Sequence, residues 1–102
     1  MVFIYTTCKD VEQAKDMGKR IIKARVAACV NIWPLESVYF SDGELREDHE
    51  AALLIKTSEP KVAEIENFVV KNHTYTTPFV GVVNVHRLNR EYKEWMGAVM
   101  TS

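Results

Sequence analysis

The sequence predicts an α+β domain of the ferredoxin-like type, in the order β-α-β-β-α-β with an extra C-terminal helix. Three observations predict it. Apolar residues switch between strand and helix periodicity in that order. The Asp-Gly pair of "SDGE" (residues 41–44) asks for a tight turn joining the second and third strands. The chain has 102 residues, 47% of them hydrophobic and 26% charged, which suits one folded domain with one core. We therefore expect a single domain over residues 1–102, an antiparallel sheet with helices on one face, and a long β2-β3 hairpin.

Each element has its own local reason. "VFIY" (residues 2–5) is a run of β-formers and opens the sheet. Asp10 with Gln13 has the form of a capping box, and Val11, Ala14, Met17, Gly18, Ile21 and Ile22 follow helical spacing, so a helix is expected over residues 11–24. Residues 26–40 read as the second strand, interrupted at Pro34, because a proline cannot donate to the ladder and marks a bulge, a bend or an edge. The third strand covers residues 44–57, polar at first and then "AALLIK". "SEP" (residues 58–60) reads as a helix start capped by Ser58, and Val62, Ile65, Phe68 and Val69 supply that helix's apolar stripe. "KNHTYTTP" (residues 71–78) is a loop, and "FVGVVNVH" (residues 79–86) the fourth strand. Asn89 caps a last helix with Tyr92, Trp95, Met96 and Val99 on its apolar side.

Two features exceed this outline. About 14 residues at ~3.3 Å each make strands of roughly 45 Å, longer than a 100-residue domain is wide. The hairpin must project as an arm or bend at Trp33-Pro34. The strands are also apolar on both faces: Val30 and Ile32 alternate with Cys29 and Trp33, Leu53 and Ile55 with Ala52 and Leu54. Helices cover one face of such a sheet, so the other is left as an apolar patch, and another copy of the chain is its simplest cover. Cys29, Tyr92 and Trp95 are then packing or assembly residues, and a homo-oligomer is expected.

The formal net charge of −1 argues against nucleic acid or an anionic membrane as the main partner. No apolar run reaches the ~20 residues of a membrane-spanning helix. "MVFIYTTCKD" lacks a basic leader and reads as a strand, so we expect a cytoplasmic protein with two free thiols. Cys29, mid-strand among apolar neighbours, reads as filler, with nucleophile or metal ligand as the alternative. Cys8 precedes a helix N-terminus, where the dipole can lower a thiol pKa; it reads as a loop-packing thiol, with a reactive or metal-binding role as the alternative. "ELREDHE" (residues 44–50) offers carboxylates and His49 to a cation, but alternation splits the run over two faces and Arg46 competes, so a solvated arm is expected. His73 and Tyr75 lie in the loop after the second helix, where His73 caps carbonyls, serves as a metal ligand or lines a cleft.

"YTTCKD", "ARVAACVNIWP", "VYFSDGELREDHEAALLIKT", "NHTYTTP" and "EYKEW" occur in that order, and over essentially the whole chain they resemble the CutA (CutA1) family of divalent-cation tolerance proteins. The resemblance implies a compact homotrimer similar in architecture to the PII signalling proteins, without enzymatic activity, linked to tolerance of copper and other divalent metals. His73 and Tyr75 match the family's loop, with Thr74 in place of its proline; Glu50 and Lys56 match its third-strand Glu and Lys. A family strand-one cysteine falls at Tyr5 and a second loop histidine at Asn72. His73 and Glu50 are thus the metal candidates that remain, with copper or zinc as a non-obligatory ion, and Tyr75, Lys56 and Trp33 are expected to line an inter-subunit cleft. A PII-like sensor of a small anion or nucleotide, or a purely structural trimer, are the alternatives; the absence of a glycine-rich phosphate loop counts against a nucleotide.

Overall fold

The computed structural model describes residues 1–101. Strands β1 (Val2–Cys8), β2 (Cys29–Ser41), β3 (Glu44–Thr57) and β4 (Gly81–Asn84) form one antiparallel sheet in the order β2-β3-β1-β4. Helices α1 (Val11–Lys23), α2 (Val62–Asn72) and α3 (Arg90–Thr101) complete the expected order.

Local chemistry sets the element boundaries. Asp10 Oδ1 accepts from the Gln13 backbone N–H at 2.8 Å, satisfying one of α1's orphan donors. Gln13 Oε1 reaches back to the Lys9 N–H at 2.8 Å, one residue earlier than in a strict capping box. Arg25, at φ 63°, turns the chain out of α1. The second strand therefore starts at Cys29 rather than at 26. Residues 26–28 instead form a buried link from helix to sheet. Its backbone is satisfied: Thr57 Oγ1 donates to the Val26 carbonyl at 2.6 Å, and the Ala28 N–H to the Lys56 carbonyl at 2.9 Å. Asp42 (φ 54°) and Gly43 (φ 77°) both take the left-handed conformation a two-residue hairpin requires.

Three other expectations are corrected. Pro34 neither interrupts nor bulges its strand: it pairs with Ala51, and the β2-β3 register runs unbroken from Cys29↔Lys56 to Ser41↔Glu44. β2 is the edge strand, where a missing donor is tolerated. Ser58 makes no side-chain cap; with Pro60, Glu59–Lys61 wind a short 3-10 turn before α2. The fourth strand shrinks to Gly81–Asn84 because Phe79 folds its ring back over Gly81. A Cβ at Gly81 would lie 2.5 Å from Phe79 Cζ, so only glycine leaves room for the ring.

The core lies on one side of the sheet. Ile4, Leu53 and Ile55 meet Met17 and Ile21 of α1 and Ile65 and Val69 of α2, all essentially solvent-free. Each such side chain contributes roughly 1.5–3 kcal/mol on burial. The opposite face carries Phe3, Tyr5, Trp33, Leu54, Phe79 and Val83. Tyr5 lies 6.4 Å from the Trp33 ring and 6.3 Å from that of Phe79, making an aromatic row across the sheet. This row remains open: Phe79 is 60% exposed, Val83 57% and Trp33 42%. α3 reaches the same face only at its far end, where Lys56 Nζ lies 5.5 Å from the Tyr92 ring. Beyond Ala51 the hairpin leaves the helices behind and projects as an arm, giving the molecule dimensions of 47 × 25 × 21 Å.

Candidate functional site

β1 ends at Cys8, opposite Ala51, while β3 and β2 continue outward. Glu50 is thus the first β3 residue past the step, on the open face and half-buried. Three hydrogen bonds converge on this corner. The Tyr75 hydroxyl donates to Glu50 Oε1 at 2.5 Å, and the Ser37 hydroxyl of β2 donates to Oε2. Two residues further along the arm the Tyr39 hydroxyl donates to Asp48.

His73 binds the loop to the sheet. Its Nε2–H donates to the Thr7 carbonyl at 2.7 Å, and its Nδ1 accepts the Tyr75 backbone N–H at 3.0 Å. These two bonds define the neutral Nε2–H tautomer. The His73 and Tyr75 rings lie 4.5 Å apart. α1 fixes the loop and the end of α2 from the other side: Gln13 Nε2 donates to Thr74 Oγ1 at 3.1 Å, and Arg20 donates to Asn72 Oδ1 at 3.2 Å.

The electrostatics follow from burial beside a carboxylate. Tyr75 is pushed well above the ordinary tyrosine value, first by burial and then by its hydrogen bond to Glu50. Cys8 is raised from 9.0 to about 11, first by burial and then by the charges of Asp10 and Glu50. The shift runs opposite to what a helix dipole would produce: the Cys8 side chain is buried in the core, in keeping with the packing reading.

Of the expected site residues, the fold gathers His73, Tyr75 and Glu50, with Trp33 on the same face opposite Ala52. Lys56 is not among them; it lies six residues further along β3, roughly 20 Å from Glu50 at ~3.3 Å per residue. Cys29 is free, on the open face opposite Lys56 and beside α3. On the arm, His49 faces Glu36 at 3.9 Å and Arg46 faces Glu44 at 3.7 Å, as a solvated hairpin should. Ser37 was not anticipated, although the Asp-Gly turn specifies the register that sets it diagonal to Glu50.

Within one chain, these residues do not fit a copper or zinc ion. Among the described residues no three His, Cys, Asp or Glu side chains gather as a ligand set. Both ring nitrogens of His73 are occupied, and the nearest thiol is buried and protonated. Glu50 offers oxygen, a harder donor than copper prefers.

The Glu50 bonds carry a prediction. Glu50→Ala is expected to lower stability by roughly 1–3 kcal/mol, because it leaves the half-buried Tyr75 hydroxyl without its acceptor. Glu50→Gln keeps an acceptor and is expected to recover most of that loss. Urea denaturation of the two variants measures the difference.

Sheet order, projecting arm and uncovered apolar face define an α+β protein with the ferredoxin-like fold. The PII-like protein CutA from Nostoc sp. PCC 7120 shares this fold, with a TM-score of 0.88 over 98% of this chain and 97% of that one, at 24% identity. The family model CutA1, described as divalent ion tolerance protein, matches residues 2–99, and the chain belongs to that family. The divalent-cation tolerance protein CutA of Archaeoglobus fulgidus is 35% identical over 94 residues, 92% of each chain. The solved structure from that organism, described as a periplasmic divalent cation tolerance protein, matches with a TM-score of 0.92 and 34% identity over 98% of this chain and 99% of that one. Among the described residues no helix is long and apolar enough to cross a membrane.

Proposed function

We propose that the protein is a homotrimeric, non-enzymatic binding protein of divalent-metal tolerance that holds a metal ion or small ligand weakly in clefts between subunits. The observation that carries this reading is the position of the Glu50–Tyr75–Ser37 cluster, at the rim of the apolar face that a neighbouring subunit would cover. One chain brings a carboxylate with both oxygens already oriented and too few further donors for an ion. A second subunit seated on the aromatic row would bring its own groups to the same rim. Weak binding is consistent with a site completed only on assembly. The two free thiols, on opposite faces of the sheet, suit a reducing compartment, so we place the protein in the cytoplasm, unlike the relative described as periplasmic.

The test has two parts. Sedimentation is expected to give a trimer that survives dilution; a folded monomer would overturn the assembly. Calorimetry with copper and zinc salts is expected to give a weak heat in the wild type that is lost in Glu50→Gln, which keeps one acceptor oxygen and removes the charge. No heat in the wild type, or the same heat in the variant, would remove the metal from this cluster. A thermal-shift screen with carboxylates and nucleotides then separates a small-anion ligand from a trimer that binds nothing.

A further inference from the structure

We propose a second ligand site, for an apolar molecule ending in a carboxylate, in a cavity between α3 and the connection that leads into it from β4. The cavity has a volume of about 590 Å³ and is lined by Val85, Leu88, Met96 and Met100, with Lys61 and Lys93 as its ammonium side chains and His86 and Met1 also on its wall. That volume is in the range of small-molecule sites. It lies away from the Glu50 cluster: Val85 bonds to the Met1 carbonyl at the start of β1, whereas Glu50 lies past its end.

Two independent features point to a ligand. The first is charge. No carboxylate among the described residues lines the cavity, and neither Lys61 nor Lys93 has an ion-pair partner among them. An apolar cleft with two unpaired lysines at its border, Lys61 half-buried and Lys93 exposed, favours an amphiphilic anion over a cation or a neutral chain. The second is Gly97. Lys93, Met96, Gly97 and Met100 share one face of α3 by their i, i+3, i+4, i+7 spacing. A glycine inside a helix costs about 1 kcal/mol relative to alanine. A Cβ at Gly97 would meet nothing within 4 Å, so close packing does not require glycine there. Its missing side chain keeps the cavity open. The thioethers of Met96 and Met100 are soft and adaptable walls for an alkyl chain, and a lysine ammonium is a compact partner for a single carboxylate.

The experiment titrates the full chain with decanoate below its micelle concentration. Calorimetry is expected to give saturable binding at one site per chain, and the methyl resonances of Met96 and Met100 are expected to shift with the same curve. Gly97→Leu, which fills the cavity with a better helix former, is expected to weaken binding at least about tenfold. The neutral analogue decanol, and the double variant Lys61→Gln/Lys93→Gln, are each expected to lose at least about fivefold. If Gly97→Leu alters the fold by circular dichroism, Gly97→Ala supplies the smaller obstruction and a graded loss. Glu50→Gln is expected to bind decanoate as the wild type does, which separates this site from the cluster on the arm. The proposal is overturned by the absence of saturable binding, by equal affinity for decanol, or by unchanged affinity in the folded position-97 variant.

Discussion

Leu53→Ala is expected to cost about 2–5 kcal/mol of stability, whereas Leu45→Ala, the same change on the same strand, is expected to stay within about 0.5 kcal/mol. Leu53 is solvent-free and touches the layer formed by α1, where its Cδ1 would lie 3.4 Å from a Cβ placed on Gly18. Removing its three distal carbons leaves a cavity that closely packed neighbours fill only in part. Leu45 is 64% exposed near the arm's tip, opposite Phe40, and has no such neighbours. Urea midpoints at one fixed protein concentration measure both, since any assembly makes stability concentration-dependent. Similar losses at the two positions would mean that the arm is packed as tightly as the core, contrary to the fold described above.

Raising the pH through the range from about 9 to about 11 is expected to remove roughly 2–3 kcal/mol of stability through Cys8 alone. The sign follows from where the proton is held. Below pH 9.0 the thiol is protonated in both states and its contribution is fully present. Between 9.0 and about 11 the unfolded chain releases the proton and the folded chain keeps it, so unfolding gains. Above that range both states are ionised and the contribution is gone. Tyr75 acts in the same direction from about pH 10.0 upward, because its folded value is also raised, so the comparison with Cys8→Ala isolates the thiol's share. Urea midpoints across this range are expected to fall more steeply in the wild type than in Cys8→Ala. The slopes are compared, because the alanine also leaves a cavity at every pH. Parallel slopes would sink the assignment of the alkaline loss to Cys8.

The local elements were legible because their signals are local. Asp10 with Gln13, Asp42-Gly43 and the apolar spacing of α1 and α2 each act within a few residues, and the elements formed there, although α2 starts at Val62 after a 3-10 turn and extends to Asn72 into the expected loop. The second strand was placed three residues too early because residues 26–28 are as apolar as the strand they lead into. Burial and strand formation leave the same mark on composition. Of the three meanings Pro34 has in the sequence, bulge, bend or edge, the strand order selects the edge, because a proline's cost depends on its place in the sheet.

The candidate site divides in the same way. The two-faced apolarity of the strands is a property of the sequence, and it determines that one sheet face lies open once helices cover the other. The Asp-Gly turn determines the β2-β3 register, and through it which residues share a face with Glu50. Those conclusions need only the two-residue period of a strand and a turn of known length. The meeting of Tyr75 and His73 with Glu50 and Thr7 was decided by tertiary structure. It joins a loop to strands 25 and 66 residues away in sequence, through packing of α2 that no short-range pattern encodes. The same packing occupied both nitrogens of His73 and buried the Cys8 thiol. Residue type made each a candidate ligand, but availability depends on what the folded neighbours leave unbonded.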